Sequence, residues 1–427
     1  MTEPGSSDLS AGLSLAPFRA VRPRVDAARL GRLLCPPYDV ISAADRAQLL
    51  AADPDNAVAV VLPADGDEPG APDRYTGAAR RLDRELAQGL LAVDRDPALY
   101  VYEMRDGAGS VTRGLLGAVE LRDPADGVIL PHENTMAGPV SDRLALMTAT
   151  EANVEPIYLV YDGGGAASDL VAAVDGTDPI AEASTPDGVR HRLWAVTDPV
   201  QHRAVEADLN TRRALIADGH HRYATYRELQ RSYDAERGPG PWDRGLTLLV
   251  DSSSYGPQVH AIHRVLVGAP LDAVLASLTG RLTLAPYDDL RAAMAALDVA
   301  PGFAVVFTDG GRAVLATDPA GTLRADAGRP DEPQAIAELD VVVLHRVVVE
   351  KLLGIADTVE DVGYAHSVNE AIDDAQRTGG TAVLMRPTPV AAVAAVAAAG
   401  ARMPRKSTLF TPKPASGLVM RRFADET

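Results

Sequence analysis

The sequence predicts a mixed α/β (α+β) chain, and three observations carry that prediction. Short apolar stretches with strand character alternate with stretches of helical period along almost the whole length. Turn residues separate them, as Asp106-Gly107 does between "ALYVYEMR" and "VTRGLLGAVEL". The 427 residues exceed what one ordinary core organises, and the pattern shifts near residue 268, so two folded units are expected.

Residues 1–14 are read as a disordered start, with order beginning at "LAPFRAVRP". In "CPPYDVIS" (35–42) two prolines impose an extended approach. Asp45 to Ala52 reads as a short helix and "AVAVVLP" (57–63) as a strand. Asp73 to Gly89 is an amphipathic helix, with Leu82, Leu86 and Leu90 at i, i+4 and i+8. The Asp106-Gly107 hairpin follows, and then the strands "PIYLVYD" and "HRLWAVTD". "RALIADGHHRYATYRELQRSY" reads as strand, turn and helix, and "GLTLLVDSS" and "QVHAIHRVLV" as strands. The second unit, 268–400, alternates helices (271–280, 339–353, 369–379, 390–399) with a hairpin in "GFAVVFTDGGRAVLAT" and the strand "TAVLMRP". Residues 15–267 form the first unit. The basic segment 401–427, with little to pack on by itself, is expected to fold back onto it.

The composition is that of a globular protein, 46% hydrophobic and 23% charged. A net charge of −18 disfavours nucleic acid and anionic membrane as partners and leaves a small-molecule substrate. The one cysteine, Cys35, excludes an internal disulfide framework. The N-terminus has no basic signal-type start, and the run Val390 to Ala399 is far short of the roughly 20 residues that span a bilayer, so a cytoplasmic protein is expected. Of 41 Lys+Arg only Lys351, Lys406 and Lys413 are lysine. In a background that favours arginine, a retained lysine suggests chemistry that arginine does not supply.

Four stretches carry chemistry. In "IADGHHRYAT" a strand ends at Ala217, Asp218 is placed to cap the following helix, and Gly219 permits a tight turn. The helix N-terminus is a ready anion site. Arg222 in the first turn opposes the macrodipole, an unfavourable choice without an anion nearby. His220 and His221 are about 100° apart on the helix and do not readily share a metal. A capped helix with surface histidines is the plain alternative. "PHENTMAGPVSDRL" (131–144) supplies His132, Glu133, Asn134, Asp142 and Arg143. Glu133 is a candidate general base or Mg²⁺ ligand, against the reading of a solvated loop. Met136 breaks a His-Glu-x-x-His pattern. "MPRKSTLFTPKPASG" (403–417) offers Arg405, Lys406, Ser407, Thr408 and Lys413 on a proline-stiffened loop, a composition suited to phosphate or carboxylate. Tyr38 and Asp39 follow the Pro-Pro as substrate-facing or turn residues. His263-Arg264 and His345-Arg346 lie in apolar runs and read as satisfied interior pairs. No dinucleotide-type glycine motif, nucleophile elbow or zinc-type Cys/His spacing is present.

Together, "PPYDVIS", "HENT…DR", "IADGHHRY" and "MPRKSTLFTPK…SGL", in this order, resemble a prokaryotic family known as domain of unknown function 1015, over about residues 15 to 420. The sequence departs from the family pattern at Leu409 and Thr411, where aromatics are usual. The strand–"DGHHR"–helix unit also resembles the phosphate-binding segment of the ParB/sulfiredoxin-like fold, in which free-serine kinases carry a similar stretch. That resemblance implies an elaborated ParB/sulfiredoxin-like first unit and a nucleotide-phosphate site at Gly219, His220, His221 and Arg222. It also implies a carboxylate base, for which Glu133 is the candidate, and ATP or ADP with Mg²⁺ as cofactor. The expected function is phosphoryl transfer between a nucleotide and a small hydroxyl compound, such as free serine or phosphoserine. Lys406 and Lys413 would hold the moving phosphate or a substrate carboxylate. Two alternatives stand beside it: a nucleotide-independent phosphatase with His220 or His221 as acid or nucleophile, and a non-catalytic nucleotide-binding protein.

Overall fold

The computed structural model describes residues 12–318, 320–404 and 406–426. Two compact units emerge. One runs up to Pro257 and resumes at Pro412; the other is Gln258–Thr411.

The first unit is built on a nine-stranded mixed sheet. Its order is Ile129–Leu130, Ala214–Asp218, Ile157–Tyr161, Arg244–Asp251, Val111–Glu120, Leu99–Arg105, Arg190–Val196 and Ala181–Ser184, with Leu15–Ala16 also on Val111–Glu120. The hairpin around Asp106-Gly107 pairs Arg105 with Val111, and Asp106 closes it by accepting from the N–H groups of Ala108 and Ser110. Ala214–Asp218 runs parallel to Ile129–Leu130 and antiparallel to Ile157–Tyr161. Its register shifts between Ile216 and Asp218, a bulge that re-aims the end of the strand just where the Asp-Gly turn begins. Leu115, Leu159, Ile216 and Leu249 form one core with Tyr223, Tyr226 and Leu229 of the helix His220–Arg237. A second core joins Val58, Val60 and Val61 to Leu82 of the helix Arg74–Ala87 and Leu146 of the helix Ala137–Thr150.

Several expectations change here. Leu13 and Ser14 are buried, and the Leu13 N–H donates to the Arg212 carbonyl, so order starts before residue 15; residues 1–11 lie outside the described residues. "AVAVVLP" is no strand: Val58–Val61 is a short helix with all four residues buried. The Asn56 side chain accepts from the Val58 N–H and donates to the carbonyls of Arg32 and Leu34, so contacts distant in sequence override β-branched propensity. "QVHAIHRVLV" splits into Gln258–His260 and His263–Leu266, which pair with different partners inside the second unit. The expected boundary at 267/268 therefore falls inside that unit, and only the segment from Pro412 belongs with the first.

The second unit holds a six-stranded antiparallel sheet, ordered Thr283–Tyr287, Ala313–Asp318, Phe303–Thr308, Thr381–Leu384, His263–Leu266 and Val362–Ala365. The helix expected over 339–353 starts at Asp340 and widens to π-form over Leu344–Leu352. There His345 lies between Arg264, which donates to Nε2 (2.8 Å), and Asp357, 2.8 Å from Nδ1. Burial lowers the Arg264 guanidinium to about 10.

One interior histidine makes the first unit acid-sensitive. His191 is 3% exposed, with Tyr102 Oη at Nδ1 (2.8 Å) and Thr185 Oγ1 at Nε2 (3.0 Å). Burial lowers its pKa to about 4, against 6.5 for the free side chain. Between those values the unfolded chain binds the extra proton, so stability is whole above about pH 6.5 and declines as pH falls toward 4. By pH 5 the expected loss is about 2 kcal/mol. Urea unfolding at pH 7.5 and pH 5 measures it, and His191→Gln should flatten that slope; an equal slope in the variant removes His191 as the cause.

Candidate functional site

The strand Ala214–Asp218 delivers Asp218, and Gly219 then takes φ 90°, a left-handed turn that opens the 18-residue helix His220–Arg237. A side chain at 219 would carry that strain and press on the Arg222 guanidinium, 3.1 Å from an added Cβ. The N-cap residue is Gly219, and no side chain caps the helix. Asp218, expected as that cap, instead pairs with the Arg222 guanidinium and with Lys413 Nζ. Burial pushes the Asp218 carboxyl up, but the two cations outweigh it and hold it below the ordinary carboxylate range.

Arg222 is 2% exposed and also donates to the Pro156 carbonyl. The anion implied by an arginine in a first helical turn is thus the chain's own Asp218. This corrects the expectation of Arg222 as a direct phosphate ligand, since its burial and its partners leave it a role in holding Asp218 and Lys413.

The "CPPYDVIS" stretch meets the same place. Tyr38–Val40 is a single 3₁₀ turn, and Asp39, part-exposed, lies 4.0 Å from Lys413 Nζ. The Tyr38 ring lies under the Arg143 guanidinium, 4.2 Å from its centroid, and burial raises the phenol to about 12. Arg143 donates to its neighbour Asp142 and to the Val61 carbonyl. Asp142 also accepts from Arg74 (2.7 Å) and Tyr75 (2.8 Å). Burial raises the Asp142 carboxyl, yet Arg143, Tyr75 and Arg74 together keep it low.

Glu155, not singled out in the sequence, ties these segments together. It is 3% exposed and accepts from the Tyr38 N–H (3.0 Å) and the Ser416 hydroxyl (2.8 Å), with Arg143 at 3.9 Å. The available signal was a lone carboxylate before Pro156 in an otherwise apolar stretch; that pattern alone does not say what the carboxylate touches.

Opposite the strand end, residues 131–136 form a loop leading into the helix Ala137–Thr150. The His132 N–H donates to His220 Nε2 (3.2 Å), and the Met136 N–H donates to His221 Nε2 (3.1 Å). The imidazoles of His132 and His220 meet edge to face with centroids 4.5 Å apart. Glu133, 38% exposed at its side chain, has Oε1 at 3.9 Å from His132 Nε2 and Oε2 at 3.6 Å from His220 Nδ1. His132, Glu133 and His220 each offer a ligand atom within 4.8 Å of the others. Asn134 is exposed in the loop. His221 is lowered by burial, opposed by Asp39 and reinforced by Arg222. With its Nε2 lone pair taken by Met136, neutral His221 carries its proton on Nδ1 and can donate; a nucleophilic His221 is disfavoured.

The structure thus gathers Tyr38, Asp39, Asp142, Arg143, Asp218, His221, Arg222 and Lys413, with His132, Glu133 and His220 joined through the helix start. Lys406, Ser407 and Thr408 belong to the second unit, and Arg405 lies outside the described residues. Lys406 has φ 53°, left-handed for a non-glycine residue, and its carbonyl accepts from the buried Arg264 (2.9 Å). No helix among the described residues is long and apolar enough to cross a membrane.

Residues 15–342 match the family described as "Protein of unknown function (DUF1015)". No curated protein matches. Solved structures include a free serine kinase in complex with AMP, 14% identical at a TM-score of 0.31, covering 66% of this chain and 83% of that one. A conserved hypothetical protein from Pyrococcus furiosus is 15% identical at a TM-score of 0.32, covering 70% and 94%. SbnI with a C-terminal truncation, from Staphylococcus aureus, is 12% identical at a TM-score of 0.34, covering 71% and 86%.

Proposed function

The chain belongs to the DUF1015 family, and from that premise we propose that it is a phosphotransferase moving a phosphoryl group between a nucleotide and a small hydroxyl compound, with free serine or phosphoserine as the first candidates. In this reading the first unit is an elaborated ParB/sulfiredoxin-like domain. The observation that carries the reading is the meeting of Asp39, His221 and Lys413 at the start of the helix His220–Arg237, with a part-exposed carboxylate, Glu133, beside it.

The parts have separate work. Backbone N–H groups of the first helical turn and the His221 Nδ1–H donate to phosphate oxygens. Lys413 spends one of its three donors on Asp218 and turns the others to the transferred group. Glu133 takes the proton of the attacking hydroxyl. The buried Arg222 and Glu155 hold Asp218, Lys413 and Tyr38 in place without touching substrate. Mg²⁺ would supply charge neutralisation on the phosphates. The donors around Glu133 do not fit that ion, because Mg²⁺ takes oxygen ligands and two of the three groups here are imidazoles.

Calorimetry with ATP and ADP, followed by product analysis after mixing with ATP and serine or with ADP and phosphoserine, tests the reading. Absence of nucleotide binding ends it. Binding without turnover of either pair leaves a nucleotide-binding protein, and phosphate release without nucleotide leaves a phosphatase. Lys413→Gln is expected to weaken nucleotide affinity about tenfold, the equivalent of one charge-assisted hydrogen bond. An unchanged affinity in the folded variant takes Lys413 out of the phosphate site.

A further inference from the structure

The mismatch with Mg²⁺ points to a different ion. We propose that His132, Glu133 and His220 bind a divalent first-row transition metal of the zinc class. The proposal that this ion serves phosphoryl transfer rests on the reading above; the existence of the site does not.

Three observations converge. The donor set is two imidazoles and one carboxylate, which suits Zn²⁺, Mn²⁺, Fe²⁺ or Co²⁺ and not an all-oxygen ion. The spacings are too long for hydrogen bonds: 3.9 Å from His132 Nε2 to Glu133 Oε1, and 3.6 Å from His220 Nδ1 to Glu133 Oε2. They come close to the separation of about 3.4 Å between two atoms each bound at about 2.1 Å to one tetrahedral ion. The two imidazoles are also enclosed by the fold. His132 is 0% and His220 6% exposed, and each sits where backbone geometry places it, one beside the sheet-edge strand Ile129–Leu130 and one as the first residue of a helix. Glu133 is the part-exposed member and gives the ion its approach from solvent.

The binding step is a proton exchange. The His132 N–H donates to His220 Nε2, so neutral His220 carries its proton on Nδ1. The ring proton first moves from Nδ1 to Nε2, where the bond from the His132 N–H is given up, and the metal then takes the freed Nδ1 lone pair. Three protein ligands leave at least one coordination position for water or for an oxygen of a phosphate, the open arrangement of a catalytic metal. The sequence hid this site because His220 and His221 point apart on their helix. The partner of His220 is His132, 88 residues away.

The test uses the full chain without nucleotide, titrated with Co²⁺ and then Zn²⁺. One equivalent of Co²⁺ is expected, with the visible absorption of a four- or five-coordinate ion, displaced by Zn²⁺ and not by a large excess of Mg²⁺. Glu133→Gln should weaken Co²⁺ binding about a hundredfold, no less than the loss of an outer-shell partner costs. His220→Gln should abolish the band. His220 is buried, so circular dichroism accompanies that variant, and the part-exposed Glu133→Gln carries the test if it unfolds. No saturable Co²⁺ uptake, equal affinity in Glu133→Gln, or effective competition by Mg²⁺ overturns the site. A chain that takes up Co²⁺ but transfers no phosphate keeps the metal and loses the phosphotransferase reading. A chain that transfers phosphate without taking up Co²⁺ does the reverse.

Discussion

Asp218→Asn is expected to destabilise the first unit by about 3–5 kcal/mol, the cost of removing one partner from a buried ion pair. The structure gives Asp218 two cations, Arg222 and Lys413, and Arg222 is 2% exposed. Asparagine keeps the shape and a carbonyl oxygen but removes the charge, so a buried guanidinium is left facing a neutral amide and the Pro156 carbonyl. A helix-capping role predicts the opposite result, because asparagine caps as well as aspartate and the change would cost almost nothing. Urea unfolding at pH 7 separates the two. A loss below about 1 kcal/mol would contradict a strong pairing of Asp218 with the buried Arg222. Asp218→Asn combined with Arg222→Met should recover part of the loss, since an apolar pair leaves no uncompensated charge.

Glu133→Gln is expected to lower kcat for phosphoryl transfer by about 10²–10⁴, the usual contribution of a positioned general base. The side chain is part-exposed, so the fold should persist. The assay is transfer from ATP to serine, or from phosphoserine to ADP, at saturating nucleotide and saturating Zn²⁺ or Co²⁺. Saturation matters because Glu133 has two proposed duties. If it takes the proton, the loss survives added metal; if it only holds an ion, added metal restores turnover. Full activity in the variant removes Glu133 from the chemistry altogether.

Much of the local architecture was legible in the sequence. The hairpin at Asp106-Gly107, the strand–turn–helix at Asp218-Gly219 and the amphipathic helix near residues 74–87 all announce themselves by period and turn chemistry. Failures came where distant contacts outvoted local preference. Val58–Val61 became helical because its four side chains are enclosed in a core and Asn56 pins its start, and "QVHAIHRVLV" split because its halves pair with different strands.

The candidate site divides along the same line. By itself the sequence determined which residue types were present: a glycine where φ must be positive, a basic first helical turn, two lysines kept near the C-terminus, and a His-Glu pair before a helix. Which charge neutralises which was decided only by the tertiary structure. Arg222 reads from sequence as a request for an external anion, and the fold answers it with Asp218, whose carboxylate is shared with Lys413. Lys413 comes to Asp218 across 195 residues, and Glu155 to Ser416 across 261. His220 comes to His132 across 88. Periodicity and propensity act over a few residues, whereas a buried charge must find its counter-charge wherever the chain brings one, and that pairing exists only once the sheet and helices have closed.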